Sequence, residues 1–248
     1  MKSSPRSSAR LPCVVMCVGV VLVAFAALGH TAVHAEIVLT APSGVAPGAT
    51  FRFIAVTSVT TDAGGWNSFS NWDNFVNGNV STLGGATYQG QAVTGWSALV
   101  SVGSTGARDH IGDYGSSTPF YMVDGTLVAS SATTSSGGLW TGTLANKINR
   151  TLAGGSINGG TWTNTRGNGT SAGGSWDYYN NTVIGQTTTA ASGWVYASIN
   201  TVGANNNYVY LVSPSLTATA VPEPSTSAMA LAGLACGGWQ LWQRRKRA

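Results

Sequence analysis

Apolar and polar residues divide this chain into three stretches of different character. Residues 11–28 and 228–242 are nearly continuous apolar runs, whereas the body between them mixes short apolar segments with Gly, Thr, Ser and Asn. Within the body, residues 50–57 (TFRFIAVT) are β-branched and aromatic and predict a buried strand. After the turn sequence Asp62-Ala63-Gly64-Gly65, apolar residues recur at Trp66, Phe69, Trp72, Phe75 and Val76, a helical stripe with Asp62 or Asn67 near its start. Residues 96–102 predict a second strand, and residues 120–129 a hairpin turning on the two residues Asp124-Gly125. Residues 107–115 are turn-rich, 144–152 read as a short helix or an irregular segment, and 154–174 as a Gly-, Asn- and Thr-rich loop with Trp162 embedded. Residues 193–197 and 208–212 predict closing strands, and 213–220 link the body to the C-terminal segment. Two echoes, Leu139-Trp140-Thr141-Gly142-Thr143 and Thr161-Trp162-Thr163-Asn164-Thr165, do not recur at a fixed period, which argues against a solenoid. Strand and loop with one helix predict a single α+β domain over residues 36–220, with a β-sandwich as the alternative.

The N-terminal run follows Lys2, Arg6 and Arg10 and closes on Ala32-Val33-His34-Ala35. Small residues at positions −3 and −1 suit the shallow pockets of a signal peptidase, so Val33 and Ala35 place cleavage between Ala35 and Glu36. Residues 1–35 therefore read as a signal peptide delivering the body through the Sec translocon; an uncleaved anchor helix is the alternative. A lipoprotein signal fits poorly, because Cys17 follows Met16 where a small residue is needed.

The C-terminal segment, residues 221–248, reads Val221-Pro222-Glu223-Pro224, then the apolar run interrupted only by Gln240, then Arg244-Arg245-Lys246-Arg247. Two prolines break any preceding strand and hold the motif extended. As a helix the run spans about 22 Å, short of a hydrocarbon core of roughly 30 Å, and interfacial Trp239 and Trp242 with local thinning make up the difference. The basic cluster then stays cytoplasmic and the body outside. This order of Pro-Glu-Pro, short apolar helix and basic cluster resembles the PEP-CTERM sorting signal of Gram-negative bacteria that make extracellular polysaccharide, a segment also known as an ice-binding protein C-terminal domain. The resemblance implies recognition by exosortase, cleavage near Pro222-Glu223-Pro224, transient inner-membrane anchoring and release to the cell surface or extracellular matrix. A plain membrane anchor is the alternative.

Charge and cysteine usage change their meaning once the ends are set aside. The whole chain is at +4, but the body holds five basic residues (Arg52, Arg108, Lys147, Arg150, Arg166) against seven acids, so it is close to −2 and has no basic patch. Nucleic-acid binding is therefore not expected. Cys13, Cys17 and Cys236 all lie in the two apolar runs, which excludes disulfides, thiolate zinc sites and a cysteine nucleophile from the body. The opening strand, amphipathic helix, Trp- and Gly-rich loops and closing Tyr208-Val209-Tyr210-Leu211 strand resemble C-type-lectin-like or endostatin-like domains, which implies pairing of the first and last strands. The usual disulfides and the Glu-Pro-Asn and Trp-Asn-Asp motifs are absent, with Trp176-Asp177 only a fragment of the latter, so calcium-dependent sugar binding is assigned to no residue.

Asp109, His110 and Asp113 are the clustered ionisable residues of the body. They fit a metal site or an acid/base pair, or else turn capping with a local Arg108–Asp109 ion pair. His110 is the sole body histidine and no Gly-x-Ser-x-Gly elbow occurs, so neither a multi-histidine metal site nor a recognisable serine hydrolase is present, and no metal or other cofactor is assigned. Trp162, Trp176, Tyr178 and Tyr179 lie in polar sequence; they read either as core packing or as rings that stack on glycan C–H surfaces. Asn-x-Ser/Thr triplets at Asn79, Asn149, Asn168 and Asn180 match chance in so Asn- and Thr-rich a chain, and the threonine runs lack the long regular array of an ice-binding surface. The expectation is a non-enzymatic surface or matrix protein that binds polysaccharide; an exported hydrolase and a purely structural envelope protein are the alternatives.

Overall fold

The structure, a computed structural model, describes residues 35–177 and 179–219. Its spine is a pair of strands from opposite ends of the body. Strand β2 (Thr50–Val56) and strand β11 (Tyr208–Val212) run antiparallel, with Ala55 opposite Leu211. Every residue of β2 after Thr50 is buried, and a strand covered on both faces reads as a continuous apolar run, not as an alternation. Phe51, Phe53, Ala55, Val209 and Leu211 face one core; Ile54, Val56, Tyr210 and Val212 face a second.

The sheet extends on both sides of that pair. Beyond β11 come β8 (Gly160–Trp162, parallel to it), β9 (Asn181–Gln186) and β10 (Ser198–Thr201); beyond β2 come β6 (Phe120–Tyr121, parallel) and β7 (Leu127–Ala129). Two short strands, β5 (Ser97–Ala98) and β12 (Leu216–Thr217), pair with β11 and β2, completing nine strands. A separate three-stranded sheet joins β1 (Ile37–Leu39), β3 (Ala86–Tyr88) and β4 (Gln91–Ala92). The described residues thus form a sheet-rich α+β domain, and none of their helices is long and apolar enough to cross a membrane. The C-terminal apolar run and the basic cluster lie outside the described residues.

Helix α1 (Phe69–Thr82) buries Trp72, Val76, Asn79 and Val80, the i, i+4, i+7, i+8 stripe of an amphipathic helix. It starts later than the sequence pattern predicts. Ser68 occupies the N-cap, and Trp66 sits before the helix in a turn closed by its own N–H on the Ala63 carbonyl. At the far end Gly84 and Gly85 donate to Ser81 and Val80 carbonyls in left-handed conformations that stop the helix. Asp73 and Asn77 on its flank reach β5: Asp73 accepts the Ala98 N–H, while Asn77 exchanges hydrogen bonds with the Trp96 backbone.

Other predicted elements shift for identifiable reasons. The 120–129 hairpin forms, but Gly125 is the left-handed residue closing a turn onto the Met122 carbonyl, and Asp124 keeps an ordinary φ while its carboxylate accepts the Thr126 N–H. Residues 107–115 contain a short helix, α2 (Ala107–Ile111). The strand expected over 96–102 shrinks to β5, and that over 193–197 is instead a 3-10 turn at Ser192–Trp194. The stretch 154–174, expected as a loop, contains β8, whose Trp162 is in the core.

Candidate functional site

The clustered ionisable residues are drawn apart by three different partners. Asp109, itself exposed, makes a 3.5 Å charge contact with the buried Arg108 Nε, too long and misaligned to be a hydrogen bond. The Arg108 guanidinium also lies 4.5 Å over the Tyr114 ring. Asp113, in a left-handed conformation just beyond α2, meets the Arg52 guanidinium at 3.1 Å. Arg52 is buried on β2 and also donates to the Ser213 and Ile111 carbonyls, so it ties the closing strand and α2 to the central strand. Burial lowers its pKa, opposed by the charge and hydrogen bond of Asp113.

His110 points the other way. Its Nε2 lies 3.0 Å from Asp73 Oδ1, and its ring stacks on Phe69 at 3.8 Å and 11°. Phe69 and Asp73 are one turn apart on α1, so a single helix face offers both the ring and the carboxylate. No hydroxyl group is hydrogen-bonded to His110 among the described residues. The Asp73–His110 pair joins two helices and β5; it is an acid–base couple by composition and a structural clasp by placement. Its members are 37 residues apart, and no local spacing signals the pairing. Among the described residues, no three His, Cys, Asp or Glu side chains converge.

The aromatic candidates need correction. Trp162 and Trp176 are 0% and 1% exposed, so neither has a face to offer a glycan. Trp162 belongs to β8, with its indole N–H donated to the Thr61 carbonyl at 2.7 Å; that of Trp176 reaches the Ser101 carbonyl at 2.9 Å. The polar neighbours of Trp162 misled because they are buried too, whereas Trp176 is buried beside the exposed Asp177. Thr161, Thr163 and Thr165 are fully covered, and the Thr163 and Thr165 hydroxyls donate to backbone carbonyls. Tyr179 is exposed, held in a left-handed turn, and donates its N–H to the Val202 carbonyl. Tyr178 lies outside the described residues.

Trp66 is the aromatic residue that sequence reasoning placed wrongly in the opposite sense. Counted into the buried helical stripe, it is half-buried and borders a surface hollow with Asn71, Asn74 and Phe75. Next to it Asn67 donates to Asp177 at 2.7 Å. Hydrogen bonds from Ser175 and Asn67 hold the Asp177 carboxyl below the usual carboxylate range. A larger hollow of about 500 Å³ between the end of α1 and β3–β4 is lined mainly by small residues, with Glu36 at its rim.

Ala35 and Glu36, flanking the predicted signal-peptide cleavage, are both exposed and lead directly into β1. The sorting motif at Val221, Pro222, Glu223 and Pro224 and the cluster Arg244, Arg245, Lys246 and Arg247 lie outside the described residues. Set against known proteins, the chain matches no family model and no curated protein.

Proposed function

We propose that this chain is an exported, non-enzymatic protein of the cell surface or extracellular matrix, sorted by exosortase through its C-terminal segment and binding polysaccharide through its body. The observation that carries the sorting is the order Pro222-Glu223-Pro224, apolar run and Arg244-Arg245-Lys246-Arg247. Signal peptidase removes residues 1–35, the apolar run holds the protein transiently in the inner membrane, and cleavage near the Pro-Glu-Pro frees the body. Among the described residues, the last backbone–backbone hydrogen bonds join Ala218 to Gly48 and Ala49, four residues before Pro222. Both cleavage positions thus fall close in sequence to the first and last hydrogen-bonded strands of the described residues, β1 and β12. The non-enzymatic reading draws support from the separate partners of Asp109, His110 and Asp113. The antiparallel pairing of β2 with β11 supports a C-type-lectin-like arrangement.

Intact-mass measurement of the protein recovered from membrane and medium fractions tests the sorting. The expected species begins at Glu36 and lacks the residues beyond about position 224. Recovery only of a membrane-bound form with an intact C-terminus would refute exosortase processing and favour a permanent anchor.

A further inference from the structure

Six of the seven tryptophans among the described residues are no more than 1% exposed, and Trp66 alone keeps part of its ring at the surface. That ring is fixed from beneath. Ala63, held at a φ of 59°, shapes the turn that the Trp66 N–H closes, and the adjoining Gly65 donates to the Trp176 carbonyl at 2.8 Å. The Trp72 indole N–H donates to the Trp66 carbonyl at 3.0 Å, and the two rings meet edge-on at 4.9 Å. Behind Trp72 stands Trp176 at 4.4 Å, and behind that Trp162 at 5.8 Å. The buried tryptophans form the foundation of the half-buried one.

Phe75, on the flank of α1, tilts against Trp66 at 5.3 Å. Asn71 and Asn74, three residues apart on the same helix, are exposed, and neither carboxamide has a hydrogen-bond partner among the described residues. These four residues line an open hollow of about 390 Å³, and none of them is charged. An aromatic face accepts the C–H surface of a sugar ring, and a carboxamide both donates to and accepts from hydroxyl groups. Asp177, hydrogen-bonded to the neighbouring Asn67, is anionic and repels an acidic polymer.

We propose that the Trp66–Phe75 hollow is a binding subsite for a neutral polysaccharide, with one sugar ring laid on the aromatic pair and its hydroxyls engaged by Asn71 and Asn74. This assignment rests on the polysaccharide-binding reading above and moves the contact from Trp162 and Trp176 to the residue they support. Because the ring is held in place before the ligand arrives, little ordering cost opposes binding.

Affinity electrophoresis of the full chain in detergent, through gels containing galactomannan, mixed-linkage β-glucan, hydroxyethyl cellulose or alginate, tests it. The unaltered chain is expected to be retarded by at least one neutral polymer and not by alginate. Trp66→Ala should weaken that retardation about tenfold, and Trp66→Phe should keep part of it. The Asn71→Ala/Asn74→Ala double variant, which touches no core contact, should weaken it several-fold with an unchanged melting curve. Undiminished retardation of both Trp66→Ala and the double variant, or a preference for alginate, overturns this subsite while leaving polysaccharide binding in place. No retardation of the unaltered chain by any of the four polymers overturns both.

Discussion

The two faces of the central strands bury tryptophan under different kinds of cover. On the face covered by α1, all four buried indole N–H groups donate to a backbone carbonyl: Trp72 to Trp66, Trp96 to Val93, Trp162 to Thr61 and Trp176 to Ser101. On the opposite face, covered by α2 and irregular chain, the indole N–H groups of Trp140 and Trp194 find no acceptor among the described residues. That face relies on close approach instead. A Cβ on Gly185 would collide with the Trp194 carbonyl, and one on Gly169 would stand 2.8 Å from the Trp140 ring. The acceptor carbonyls of Trp66, Val93, Thr61 and Ser101 all belong to segments between the named elements, within reach of the indoles. Irregular cover is brought onto the sheet by removing side chains. The first arrangement fixes ring orientation by directed bonds, the second by shape.

The largest test of this contrast is Gly185→Ala, which should destabilise the domain by about 3 kcal/mol in urea titrations, because the obstructing atom is backbone and cannot rotate away. An unaltered unfolding midpoint would show that the irregular cover yields freely. Next comes a matched pair of indole replacements. Trp162→Phe removes one of the two donors to the Thr61 carbonyl, which keeps the Asn207 N–H, and should cost about 1 kcal/mol more than Trp194→Phe, whose indole has no bond to lose. Equal losses in the two variants would mean that packing alone sets the value of these rings.

Alkaline titration addresses the loop-covered face separately. Tyr210 is fully buried, and burial pushes its phenol well above the ordinary value near 10. Below that ordinary value both folded and unfolded chains keep the proton, and this residue adds no pH dependence. Above it the unfolded chain ionises while folded Tyr210 stays protonated, so stability falls as pH rises. Tyr210→Phe should flatten that fall in melts between pH 9 and 11, at a neutral-pH cost of about 1 kcal/mol for the lost bond to the Trp194 carbonyl. The smallest effect is expected on the helical side. Gly78 lies exposed inside α1 with open space around it, so Gly78→Ala should stabilise by about 0.5–1 kcal/mol. The same substitution thus changes sign between the two faces.

What could be read in the chain follows the same division. Strands β2 and β11 were legible because they are covered on both faces and contain little but β-branched and aromatic residues. The stripe of α1 was legible in part: Phe69, Trp72, Phe75 and Val76 do lie on the helix and Trp72 and Val76 are buried, while the buried Asn79 and Val80 fell outside the pattern. Strands β8, β9 and β10 were not, because their Gly, Thr and Asn residues have the composition of a loop and gain strand geometry only by pairing with β11 and one another. The clasp between His110 and Asp73, and the tie between Arg52 and Asp113, link residues too far apart for any spacing rule.

By itself the sequence determined the order of the segments: an N-terminal apolar run closing on the small residues Val33 and Ala35, a thiol-free and mildly acidic body, and a Pro-Glu-Pro, apolar and basic C-terminal segment. Those features depend only on residue type and order along the chain. Tertiary structure alone decided which tryptophans meet water. Trp162 and Trp176 sit among polar residues yet are buried, because other parts of the chain cover them and the carbonyls of Thr61 and Ser101 accept their indole N–H groups. Trp66 follows an apolar period yet is half-exposed, because the helix begins after it and a turn carries it to the rim. Burial is set by what the rest of the chain lays over a residue, and that is a long-range property which no local pattern encodes.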